Sequence, residues 1–132
     1  MTFQETLSAL VRGEREVNAS GVKWSDEEIM HYANALQKSK TQKLWLSGCS
    51  ISDVGAKALA SGLGNNRCLQ ILNLSLNNIG DSGTKALASA LENNRFLTVL
   101  HLEDKVIRDN FDVNMSEEAG EEDNEITAFF RD

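Results

Sequence analysis

With 132 residues and a net charge of −7, the chain is sized for one domain and has no surplus of lysine and arginine to neutralise phosphates, which argues against nucleic-acid and anionic-membrane partners. Hydrophobic residues make up 41% of it and aromatics 6%, so a core can form but aliphatic side chains must fill most of it. Neither a secretory signal nor an apolar run long enough to cross a bilayer is legible, and the two cysteines, Cys49 and Cys68, read as reduced thiols of a cytoplasmic protein.

The first predicted element is a short amphipathic helix over 3–11, where Phe3, Leu7, Leu10 and Val11 share one face and Arg12-Gly13 ends it. The next stretch, 17–43, becomes legible only beside the two stretches C-terminal to it. Residues 44–71 and 72–99 are two copies of one pattern, with a register of 28 residues from Leu44 to Leu72 and again from Leu72 to Leu100; Leu100, His101 and Leu102 open a third. In each copy an alternating triplet such as Leu72-Asn73-Leu74 predicts a short strand with both leucines on one face. Asp53 and Asp81 then stand where a helix N-cap belongs, and Leu59 and Leu63, or Leu87 and Leu91, recur at helical spacing behind them. Ala86 and Ala88 are small enough to let that helix lie close to its neighbours. Asn65-Asn66 and Asn93-Asn94 signal the stops, because asparagine tolerates the left-handed conformation that closes a helix. Shifted by 27 residues, Val17 falls on Leu44, Gly21 on Gly48, Trp24 on Ile51 and Asp26 on Asp53. The stretch 17–43 is thus a diverged first copy, with Ile29, Tyr32, Ala33 and Leu36 on one face of its helix.

A unit of strand, turn, helix and return loop cannot bury its apolar face alone, and a period in the twenties marks a stacked repeat protein. The expected organisation is an N-terminal capping helix over 1–16 and a solenoid over 17–107, made of repeats 17–43, 44–71 and 72–99 with a partial repeat 100–107. An acidic C-terminal tail or cap occupies 108–132. Past Leu102, Ile107 and Asp109 keep their places but Phe111 stands where glycine did. The run 117–125 is rich in carboxylates and lacks apolar periodicity, which reads as a solvated tail. Ile126, Ala128, Phe129 and Phe130 restore apolar character, either as a fold-back cap over the last repeat or as a linear motif for a partner.

The spacing Leu69-x-x-Leu72-x-Leu74-x-x-Asn77-x-Ile79 resembles the leucine-rich repeat consensus. The helical half, Asp81-x-Gly83-x-x-Ala86-Leu87-Ala88-x-Ala90-Leu91, is similar to the ribonuclease-inhibitor-like subclass, as in NOD-like receptors and Ran GTPase-activating proteins. The copy at 44–71 departs from the pattern at Thr41, where the first leucine belongs, and at Cys49, which replaces the asparagine and is a common family substitute. The resemblance implies an α/β fold, a short leucine-rich repeat solenoid with a parallel sheet of about four strands on the concave face and helices on the convex face. Simple geometry agrees. Helices need about 10 Å of lateral room and paired strands less than about 5 Å, so stacked units curve with the strands inside.

Strand residues pointing away from the leucines then line the concave face in three rows. Glu16, Lys43, Ile71 and Val99 form one; Asn18, Trp45, Asn73 and His101 the middle one; Ser20, Ser47, Ser75 and Glu103 the third. Leu76 lies just past a strand and adds to the same surface. The candidate protein-binding residues are Lys43, Trp45, Ser47, Ile71, Asn73, Ser75, Val99, His101 and Glu103. Trp45 is singled out, because a bare indole is costly and tryptophan is enriched where binding energy concentrates. It is either the anchor of a small apolar patch with Ile71 and Val99 or a shield lying flat across adjacent strands.

His31 and His101 are expected on different faces, which leaves no nucleophile and base to act together. No zinc-ligand spacing and no phosphate loop is written in the chain. The expectation is a non-enzymatic protein–protein interaction module, without cofactor or metal, that holds a protein or peptide on its concave surface. Alternatives stay open: a homodimer through the exposed edge of the last strand, a regulator of a partner enzyme such as a GTPase, or a bacterial effector acting in a host cell. The functional arginine of the Ran activators is not carried over, since nothing around Arg12 or Arg15 matches its motif.

Overall fold

The computed structural model describes residues 2–92, 94–103 and 125–129. Helix α1 (Phe3–Arg12) leads into three strand–helix units: β1 (Glu16–Asn18) and α2 (Asp26–Lys38), β2 (Lys43–Trp45) and α3 (Asp53–Asn65), β3 (Ile71–Asn73) and α4 (Asp81–Glu92). Strand β4 (Val99–Glu103) comes next, and β5 (Glu125–Phe129) lies beyond it in sequence. Strands β1 to β4 pair in parallel and in chain order, with Val17, Leu44, Leu72 and Leu100 in one register. The expected sheet is therefore present, with one addition. β5 runs antiparallel along β4, pairing Leu100 with Ala128 and His101 with Thr127, and makes the sheet five-stranded. Residues 125–129 thus lie along the edge of the last parallel strand. The readings of Ile107, Asp109, Phe111, Phe130 and most of the carboxylate run lie outside the described residues.

The inward leucines of the strands and the inward faces of the helices close one core. Leu44, Leu46, Leu72, Leu74 and Leu100 meet Leu59, Leu63, Leu87 and Leu91, all buried. Small residues set how close the helices come: a Cβ at Gly62 would lie 2.5 Å from the carbonyl oxygen of Ala33 on α2. At the N-terminal end the core turns aromatic. Trp24 packs edge-on to Phe3 at 5.9 Å between ring centroids and tilted against Tyr32 at 4.5 Å. Burial pushes the Tyr32 phenol far up, so it stays protonated, and its oxygen shares a buried hydrogen bond of 2.9 Å with the Thr6 hydroxyl.

Reciprocal capping boxes start α1 (Thr2 with Glu5) and α2 (Ser25 with Glu28). Gly13 ends α1 with φ of +74°, and its N–H bonds back to Ala9 and Leu10. Val11, expected on the inner face of this helix, is 66% exposed. The buried residues are Thr6, Ala9 and Leu10, so the helix is rolled toward Thr6 by its bond to Tyr32, and Val11 passes beyond the contact arc.

Two further expectations are corrected, both because side chains reach across repeats. Asp53 does not cap its own helix. Ser52 is the N-cap residue of α3, and Asp53 Oδ1 accepts from the backbone N–H of Gly80 at 2.7 Å and Gly83 at 3.0 Å, at the start of α4. Asn66 does not close α3 in a left-handed conformation, since its φ is −84°. Its Nδ2 donates to the carbonyls of Leu36 and Ser39 in the previous unit, while its Oδ1 accepts from the N–H groups of Cys68 and Leu69. Asn94 does the same one unit later, to Leu63 and Asn66.

Candidate protein-binding surface

The register of the strands brings the outward residues into the rows read from alternation. Glu16, Lys43, Ile71 and Val99 are consecutive partners, as are Asn18, Trp45, Asn73 and His101. Lys43, Trp45, Ser47, Ile71, Asn73, Val99 and His101 are all half-buried, as strand residues on an open face should be. Glu103 ends β4; its side chain lies outside the described residues. Ser75 is corrected: it is buried, at 2% exposure, because its hydroxyl turns down to donate to Asn73 Oδ1 at 2.7 Å and lies 3.3 Å from the Ser47 hydroxyl. The third row is thus a short hydroxyl chain that ties strand ends together, with Ser20 Oγ accepting from the Ser47 N–H.

Trp45 is half-buried. Its indole N–H donates to Glu16 Oε2 at 2.7 Å, on β1, whereas Ile71 and Val99 lie on the other side of β2. This pair fixes the ring near the N-terminal edge of the sheet and gives the concave face a polar-capped aromatic at one side and two aliphatics at the other. Glu16 itself is exposed.

Just past the strands, Gly21, Gly48 and Leu76 occupy one position of successive repeats, all left-handed, with φ of +85°, +67° and +60°. Glycine adopts this conformation freely; leucine does so at a steric cost. Leu76 pays it with a side chain 68% exposed, at the rim of the concave face. The alignment of Leu76 with two glycines was the available sequence signal for this outlier. On the convex side a groove of about 460 Å³ opens between α2 and α3, lined among others by Met30, His31, Asn34 and Ser61. His31 sits there, on a helix, and His101 in the sheet, so the two imidazoles do not share a site. Among the described residues no three metal-ligating side chains come together.

Beneath the sheet surface, Asn77 binds one unit to the one before it. Its Nδ2 donates to the carbonyls of Leu46 and Leu74, and its Oδ1 accepts from the N–H groups of Cys49 and Ile51. Cys49 takes the matching place one unit earlier and donates from Sγ to the Ala19 carbonyl at 3.2 Å. Burial pushes its thiol pKa up, which keeps it an unreactive proton donor. Both cysteines are unbridged.

A family model described as a leucine-rich repeat matches residues 42–60 and 65–88, the two clearest copies. The chain folds as a short leucine-rich repeat solenoid. Among solved structures, 32 chains match. The actin-binding site 2 of leiomodin-1 superposes with a TM-score of 0.68 at 28% identity, covering 74% of this chain and 60% of that one. The C-terminal domain of Caenorhabditis elegans tropomodulin superposes with a TM-score of 0.65 at 22% identity, covering 74% and 62%, and at that identity shows the fold alone. The aligned region thus falls short of two thirds of either structure. A search of curated proteins gave no match.

Proposed function

We propose that the solenoid is a non-enzymatic module that holds a protein or peptide across its concave sheet. The observation that supports this most directly is the in-register surface of Lys43, Trp45, Ile71, Asn73, Val99 and His101, half-buried side chains of mixed chemistry, with Leu76 exposed at its rim. A strained, exposed leucine and an anchored indole on one face are the chemistry of an interface core with a polar surround. The ribonuclease-inhibitor-like subclass, a cytoplasmic location and the absence of nucleic-acid or membrane partners belong to the same reading. The deciding experiment is a quantitative pull-down from cell extract with wild type, Trp45→Ala and Leu76→Gly, after equal folding has been verified by circular dichroism. Loss of the same partners in both variants supports the concave face; retention of them in both removes it.

A second reading comes from the likeness to leiomodin-1, whose matched region is named as an actin-binding site. On that reading the partner is actin. Cosedimentation of the solenoid with filamentous actin, with Trp45→Ala as control, tests it in one step. Dimerisation through the last strand is a weaker reading, since β5 takes up that edge of β4 and would have to leave it. A regulator of a partner GTPase or an effector acting in a host cell would use the same concave surface.

A further inference from the structure

A second surface lies at the return loops, away from the concave rows. Each helix ends on a residue whose N–H bonds back to the turn before it: Ser39 to Leu36, Asn66 to Leu63 and Asn94 to Leu91. The next residue is a cation every time. Lys40, Arg67 and Arg95 are all exposed, and none has an ion-pair partner among the described residues, where the one such pair is Arg12 with Glu14. In a chain of net charge −7 this is a local reversal of sign along one edge.

Between the last two loops lies a cleft of about 240 Å³, lined by Gly64, Asn66, Arg67, Asn94, Arg95 and Phe96. Its floor is chemically closed. The amides of Asn66 and Asn94 are buried and engaged on both sides, on carbonyls of the preceding unit and on N–H groups of their own loops. The walls are open: two guanidiniums and the Phe96 ring, 45% exposed, while Gly64 leaves space at the mouth. Arginine forks bind carboxylates in charge-assisted pairs, and a ring beside them favours an apolar neighbour.

We propose that this cleft is a docking site for an acidic segment of a protein partner, with carboxylates at alternate residues on Arg67 and Arg95 and an apolar residue on Phe96. The spacing supports an extended segment. Successive units lie about 5 Å apart at the strands and about 10 Å at the helices, and the return loops sit between, while alternate residues of an extended peptide are about 6.6 Å apart. A short segment meets the two arginines locally, whereas a long polyanion such as nucleic acid meets the field of the whole acidic chain. The site is separate from the concave face and does not rest on the function proposed for it.

The test uses the full chain and a fluorescein-labelled synthetic peptide of about ten residues, glutamate at alternate positions with one central leucine, read by anisotropy at low salt. Wild type and Trp45→Ala should bind it alike, and the same peptide with lysine for glutamate should not bind. The double variant Arg67→Glu/Arg95→Glu should weaken binding by about tenfold or more, and Phe96→Ser by about threefold. All three side chains are exposed, so their replacement should leave the melting temperature in place, and a melt of each variant verifies this. Failure of wild type to bind, or equal binding by the double variant, overturns the proposal. So does binding of inorganic phosphate or heparin through the same arginines without binding of the peptide, which would make the cleft a phosphate site.

Discussion

The first repeat and the two after it share one backbone course but hold together differently. In 44–99 the core is aliphatic, and the amides that cross between units find their partners: buried Asn66 and Asn94 and half-buried Asn77 each bond a neighbouring unit and their own. In α1 and 17–43 the same space is taken by Phe3, Trp24 and Tyr32, and the two buried polar atoms left without a partner among the described residues, Trp24 Nε1 and Thr41 Oγ1, both belong to this end. An end unit has one neighbour, so its packing can be improvised with large rings and a covering helix. An inner unit has two, and must satisfy both with small, repeating side chains.

The largest losses are expected in the middle of the solenoid. Leu72→Ala, on a fully buried strand position with a neighbour on either side, should cost about 3 to 4 kcal/mol in denaturant unfolding. Asn77→Ala should cost about 2 to 3 kcal/mol, because it strands the N–H groups of Cys49 and Ile51 and the carbonyl of Leu46. Cys49→Ala, which breaks only weak thiol bonds to the carbonyls of Ala19 and Ser47 at the matching place one unit earlier, should cost clearly less by the same measurement. Equal losses would mean that the junction of 17–43 with 44–71 is held as firmly as the next one.

A smaller effect tests the link between units. The N–H groups of Gly80 and then Gly83 hold the Asp53 carboxyl pKa below its usual value. A carboxylate whose pKa is lowered on folding adds stability above its unfolded pKa and loses it as pH falls through the folded one. Asp53→Ala should therefore cost about 1 kcal/mol at neutral pH, and its penalty should fade as melts are taken into the acid range below about pH 4. Asp53→Asn keeps an acceptor at Oδ1 and should lose less. Smallest of all, Thr41→Val should raise stability by about 0.5 to 1 kcal/mol, since it removes a buried hydroxyl without a partner among the described residues while keeping its shape. A destabilised Thr41→Val would mean that the terminal unit is as tightly specified as the inner ones.

Much of the site was legible because strand alternation and repeat register are one-dimensional. Lys43, Ile71 and Val99 fall into a row by counting, and so do Trp45, Asn73 and His101. The rest depended on partners that counting does not supply. Trp45 turns toward β1 because Glu16 is there to accept its N–H, and Ser75 is buried because Asn73 and Ser47 draw its hydroxyl inward. The cleft of Arg67, Arg95 and Phe96 was legible only as two similar loops, until stacking put them side by side.

Periodicity was enough for the leucine positions, the order of strands and helices and the parallel register, since each depends only on which residues are apolar and how far apart they stand. Tertiary contact alone decided which unit each polar side chain serves. Asn66 and Asn77 bond backbone groups both in their own unit and in a neighbouring one, Asp53 in the next unit, and a chain read in one dimension contains no term that favours either. Burial between stacked units supplies that term, because a donor or acceptor closed off from water must find its partner in whichever neighbour seals it.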